Sequence, residues 1–213
     1  MPSASRVLLH LNMETRALHP DADWPWLELM TLEASRARYL DHLVGIYGFE
    51  APAEAALTLT PYMAEVIALR PRSRSGVLVE DLLSLGLTAS KIARLPQCRS
   101  IAPFRDPAEA FGWLYVIERS TLLHDTVRSY MEPRLPGVHA WRYLSAYKGV
   151  ASLHWQDLGR ALDAYAITDA SVEHIVAAAR TAFVTQREWL ASKPAQSART
   201  SWDTDLSGRF ALE

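Results

Sequence analysis

Cysteine is almost absent from this sequence, which contains Cys98 alone. That excludes an internal disulfide and a thiolate-rich metal site, and it fits a reducing compartment in which Cys98 is a buried or partly buried spectator. Long hydrophobic runs are also missing. No stretch reaches the roughly 18 apolar residues of a membrane helix, and the apolar run in the opening MPSASRVLLHLNMETR is too short for a secretory signal, so the expected location is the cytoplasm. An excess of either charge is lacking as well: 22 basic against 24 acidic residues leave a net charge of -2. Without a basic stripe, neither nucleic acid nor an anionic membrane is an expected partner, and a small or neutral-surfaced one is. Strand-like alternation never persists beyond a few residues, and there is no internal repeat or low-complexity block.

What the chain does have is helical periodicity. In TLEASRARYLDHLVGIYG, residues Leu40, Leu43, Val44 and Tyr47 share one helical face, and Gly48 stands where that helix can end. Asp106, Pro107 and Glu109 occupy the N-cap, first-turn and capping-box places of DPAEAFGWLYVIERSTLLHDTVRSYM, which predicts one long helix. Val172, Ile175, Val176, Ala179 and Phe183 mark another, opened by Thr168 or Asp169. Shorter helices are predicted from Arg6 to His19, Pro52 to Ala68, Val79 to Leu85, Thr88 to Leu95 and Ala140 to Tyr165. The breaker-rich RPRSRSG (70–76) and EPRLPG (132–137) read as exposed connections. The prediction is an all-α, single-domain helical bundle over residues 1–191, with 192–213 as a mobile tail because their periodicity is lost.

Polar residues interrupt the apolar faces at a few places. Leu8, Leu11, Thr15, Leu18 and His19 share one face of the first helix, so His19 looks toward the core; an isolated histidine there is most simply one hydrogen-bonded at a helix end. Pro20 should kink or end that helix at His19. Within GWLYVIERSTLLHDTV (112–127), Glu118 falls on the stripe of Phe111, Leu114, Tyr115 and Leu122, where a carboxylate needs a tyrosine, tryptophan or arginine partner. The pair His124–Asp125 has the form of a helical phosphohydrolase metal motif, for which His42, His154 and Asp163 are the available further ligands; a two-residue match is weak. The seven tryptophans are expected to fill core and helix contacts rather than to stack on nucleic-acid bases.

Several collinear segments together resemble the heme oxygenase family, especially its compact bacterial, biliverdin-producing members. METRALH is similar to the family's first helix, with Thr15 four positions before His19. TLEASRARYLDHLVGIYGFEAPAEAAL, VLVEDLLSLG, RYLSAYKG with Trp155, and AAARTAF with Trp189 continue the likeness to about Leu190. AFGWLYVIERSTL is similar to the distal-helix signature Gly-x-Leu-Tyr-Val-x-Glu-Gly-Ser-x-Leu-Gly-Gly. The resemblance implies a heme lying between the first helix and the central distal helix, with His19 as proximal iron ligand, Tyr115 and Arg160 toward the propionates, and an electron-donating reductase as partner. It implies, as parent activity, O2-dependent opening of heme to biliverdin, iron and CO.

The chain departs from that pattern at positions that bear on catalysis. Arg119, Leu123 and His124 stand where the signature has glycines, flanking the matching Ser120, and Asn12 stands where a basic residue is customary. Glycine lets backbone approach a heme face; side chains there would fill the O2 site. Three outcomes follow: an oxygenase whose distal helix has shifted outward, a non-degrading heme or tetrapyrrole binder in which His124 ligates iron opposite His19, or a helical interaction module with a closed pocket.

Overall fold

The structure, a computed structural model, describes residues 5–31 and 34–192; the predicted tail, apart from Ser192, lies outside the described residues. The described chain is all helix and loop, with no strand. A helix α1 (Arg6–Thr15) leads through a 3-10 turn (Arg16–Leu18) into α2 (His19–Glu28). Then come α3 (Arg36–Leu59), α4 (Met63–Val66), a 3-10 turn (Arg70–Arg72), α5 (Ser75–Ser84) and α6 (Ala89–Ile92). The central segment is α7 (Pro107–Ser120), a 3-10 turn (Thr121–Leu123) and α8 (His124–Met131), followed by α9 (Arg142–Ser145), α10 (Ala151–Tyr165) and α11 (Asp169–Ala191).

The helix starts follow local chemistry. The Asp106 carboxylate accepts from the Glu109 amide at 3.0 Å, with Pro107 in the first turn of α7. Thr168, rather than Asp169, caps α11 in a reciprocal box with Ser171. α7 is buried along nearly its whole length and packs against α11 at Gly112, where an added Cβ would lie 2.5 Å from the Ala179 nitrogen and 2.6 Å from the Ile175 oxygen. Only glycine permits that backbone approach.

Four expectations need correction. Gly48 does not end the second helix, and Pro52 does not begin another: α3 starts after an Ser35 cap and runs through both to Leu59. Pro52 cannot donate to the Gly48 carbonyl, but the Cys98 amide donates to it at 2.8 Å, so the break is repaired from a distant loop. Gly48 is a place of close approach, since a Cβ there would sit 2.4 Å from the Trp189 ring. The long central helix is interrupted at Thr121–Leu123, where the hydroxyls of Ser120 and Thr121 donate back to the carbonyls of Ile117 and Glu118 at 2.8 and 2.6 Å and tighten the turn. Gly149, at φ +78°, separates α9 from α10. Finally, RPRSRSG is not simply exposed: Arg72 and Arg74 are buried. Pro20 acts as anticipated in a modified way, because α1 stops at Thr15 and the chain restarts as α2 with Pro20 in its first turn, where a missing amide costs little.

Candidate functional site

α2 packs against α11, and three side-chain contacts reach from it to the α7–α8 segment in order. At the first, His19 Nε2 lies 3.1 Å from the Thr15 hydroxyl and 3.4 Å from the Tyr115 hydroxyl. Thr15 gives its hydrogen to the Leu11 carbonyl at 2.7 Å, so its oxygen accepts from its neighbours. Phe183 packs 5.6 Å from the imidazole, and Trp155 and Phe183 flank Tyr115. At the second, Arg119 donates bidentately to Asp23, at 2.5 and 2.8 Å. At the third, the Trp26 ring meets His124 at 4.8 Å and His42 at 4.3 Å, with Tyr143 stacked at 6.2 Å. Residues 19, 23 and 26 recur at helical spacing on one face of α2, which therefore closes on the central segment like a row of fasteners.

The electrostatics favour a neutral site. Burial, and next the Arg119 guanidinium, lower the proton affinity of His19, against the opposing pull of Asp23. Burial, followed by Arg74 and His42, holds His124 well below the ordinary histidine range. Burial raises the Tyr115 phenol. Both imidazoles are thus uncharged at neutral pH, the form in which a ring nitrogen can ligate a metal. His124 is fully enclosed, and neither of its ring nitrogens has a hydrogen-bond partner.

Beneath this face runs a buried ionic layer. Glu118 accepts from the Tyr147 hydroxyl at 2.7 Å and pairs with Arg72 at 3.1 Å, the structural role anticipated for a carboxylate on that stripe. Arg72 also donates to Asp157 at 2.7 Å and to the His154 carbonyl at 3.1 Å. Arg74 donates to Glu50 and to the Ile117 carbonyl at 3.1 and 3.2 Å, and Tyr143 donates to Glu50 at 2.6 Å.

The structure brings His19, Tyr115 and Arg119 together. It places His124 on Trp26, two turns further along α2, so Arg119 rather than His124 is the distal-segment residue whose charge acts on His19. Ser120 is tied to the Ile117 carbonyl and Leu123 packs into the second core region around Trp26 and Leu43. Arg160 stands in solvent on α10, held by Asp157. The phosphohydrolase alternative finds no support: Asp163 accepts from the Val7 amide at 2.9 Å, and no group of three or more metal-ligating side chains occurs among the described residues. Sequence reasoning did not single out Asp23, Trp26, Arg72, Arg74 or Glu50. Asp23 alone left a signal, a carboxylate one turn after His19 and opposite in sign to Arg119.

A family model described as Heme oxygenase matches residues 5–192. The chain belongs to the heme oxygenase family. Among solved structures, a crystal structure of the NO- and CO-bound heme oxygenase from Neisseria meningitidis aligns with a TM-score of 0.64 and 21% identity, covering 86% of this chain and 92% of that one. At that identity the likeness shows the heme oxygenase fold. No curated protein matches the chain. Among the described residues no helix is long and apolar enough to cross a membrane.

Proposed function

We propose that this heme oxygenase family member binds heme between α2 and the α7–α8 segment, with His19 as the iron ligand. The observation that carries this reading is the state of His19: a neutral imidazole at the start of α2, held at Nε2 only by hydroxyl groups that a metal can replace, with the Phe183 ring packed on it and Trp155 behind Tyr115. The donor set fits a heme iron, for which neutral histidine is a common axial ligand. Tyr115 offers a hydroxyl to the ligand's edge. Arg160, on Asp157 and in solvent, has no support as a propionate partner.

When bound, heme supplies an iron centre for O2 chemistry, and family membership supports ring opening to biliverdin, iron and CO with electrons from a reductase as the parent activity. One observation favours a second reading, heme binding without ring opening. Arg119 reaches to Asp23 across the contact between α2 and α7, which is the proposed heme slot, and a charged side chain fills the place where the family signature leaves bare backbone.

Titration of the purified chain with heme tests the first step. The wild type should shift the Soret band and His19→Ala should abolish the shift; an identical spectrum in that variant would remove His19 from the role. Heme with a reductant under air then separates the readings. Loss of the Soret band with growth of biliverdin absorbance supports ring opening, and persistence of the band supports binding alone.

A further inference from the structure

α2 has the construction of a moving part. It hangs from the 3-10 turn Arg16–Leu18, and Pro25 in its interior removes an amide donor. Of its ten residues Trp26 alone is buried, so a single aromatic anchor near its far end, together with polar contacts, holds it down. Behind it is room. On the face opposite His19, Asp23 and Trp26, a cavity of about 600 Å³ lies between Asp21, Trp24 and Glu28 of α2, Gly45 of α3 and Leu190 of α11. The Asp21–Arg187 pair beside that cavity is exposed and longer, at 3.3 Å.

The contact with most direction across the slot is Asp23 with Arg119. Its two short, parallel bonds join a planar fork to a carboxylate, and the side chains are only 20% and 16% exposed, so solvent screens them less than a surface pair. The His19 contacts at the slot are weaker hydroxyl bonds, and the Trp26 contact has no fixed donor and acceptor.

We infer that the Asp23–Arg119 ion pair is a latch that holds α2 shut on α7, and that the slot admits a ligand when this pair breaks and α2 tilts about the Arg16–Leu18 turn into the space behind it. The inference rests on the reading of this slot as a ligand site. The closed form is self-inhibiting, because the same closure keeps His19 Nε2 on the Thr15 and Tyr115 hydroxyls and the Trp26 ring against His124.

Hydrogen–deuterium exchange on the ligand-free chain tests the latch without heme. Asp23→Asn, which keeps shape and loses charge, and Arg119→Ala should each speed exchange of α2 amides by roughly three- to tenfold, the range of a partly shielded ion pair. Amides of α7 should keep their wild-type protection, and the double exchange Asp23→Arg with Arg119→Asp should restore slow exchange in α2. Wild-type rates in α2 for both single variants would overturn the latch. A heme titration of the same variants bears on the binding reading separately: faster exchange with no Soret shift in any protein leaves the latch standing and removes heme as the ligand.

Discussion

Removal of the Glu118 carboxylate tests the physical account of the central segment most directly. Glu118 and Arg72 are 1% and 3% exposed, so their pair is a buried one, and breaking such a pair from one side typically costs about 3–5 kcal/mol. Two details set the value in this chain. Arg72 keeps Asp157 at 2.7 Å and the His154 carbonyl, so its charge is not wholly stranded. Tyr147 loses its acceptor at 2.7 Å and is left with the Arg72 carbonyl at 3.4 Å, a loss of about 1 kcal/mol. Glu118→Ala should therefore cost about 4 kcal/mol, which for a domain of this size lowers the melting temperature by roughly 8–16 °C. Glu118→Gln keeps an acceptor for Tyr147 and most of the volume, and should cost about half as much. The paired replacement Glu118→Leu with Arg72→Met should be less damaging than the sum of its single changes, because it leaves neither charge uncompensated. Thermal unfolding followed by far-UV circular dichroism gives the ranking. If Glu118→Ala melted within about 2 °C of the wild type, or if the double variant equalled the sum of the singles, the carboxylate would not be holding this layer together.

Gly112→Ala should destabilise the fold by about 3 kcal/mol or more, read as a shifted urea midpoint, because the new methyl would meet the Ala179 nitrogen and Ile175 oxygen of α11, which are backbone atoms that cannot swing away. Burial raises the Glu50 carboxyl from its ordinary 4.5 to about 7, against the pull of Arg74, so between those values the folded chain holds a proton that the unfolded chain has released. The contribution is therefore most stabilising at low pH, declines by up to about 3 kcal/mol as pH rises from 4.5 to 7, and is flat above. Urea midpoints across that range should show Glu50→Gln losing this decline, and parallel curves for the two proteins would contradict it.

The parts of the fold legible in the sequence were those set by neighbouring residues. The caps at Asp106 and Thr168 depend on groups three positions away, and the apolar stripe of α11 on a single helical period. The parts that misled depend on distant partners. Pro52 signals a stop, but a Cys98 amide on another loop replaces the bond it removes. Arg72 and Arg74 sit among breakers and read as solvent-facing, yet each is drawn inward by a buried glutamate, and Glu50 lies 24 residues from Arg74. The family resemblance points to His19 and Tyr115 as site residues, and the structure places their side chains within 3.4 Å of each other. The contacts that close the slot were not legible: nothing local to Asp23 or Trp26 tells which residue will face it across the gap.

The polar residues of the central segment divide into three kinds of work, and the division explains why the segment is not one straight helix. Glu118 points into the ionic layer, Arg119 points the other way to Asp23, and Ser120 and Thr121 bend the backbone by taking the carbonyls of Ile117 and Glu118. The bend separates the helical face carrying Tyr115 and Arg119 from the one carrying His124, so that His124 meets Trp26 instead of His19. A flat ligand entering above His19 therefore meets an arginine first, and must offer that cation an interaction to replace Asp23 or leave it stranded in a low-dielectric gap. In the latch proposed for α2, bulky polar side chains on this wall do more than narrow the slot: they make its occupancy depend on breaking an ion pair, which bare backbone would never require.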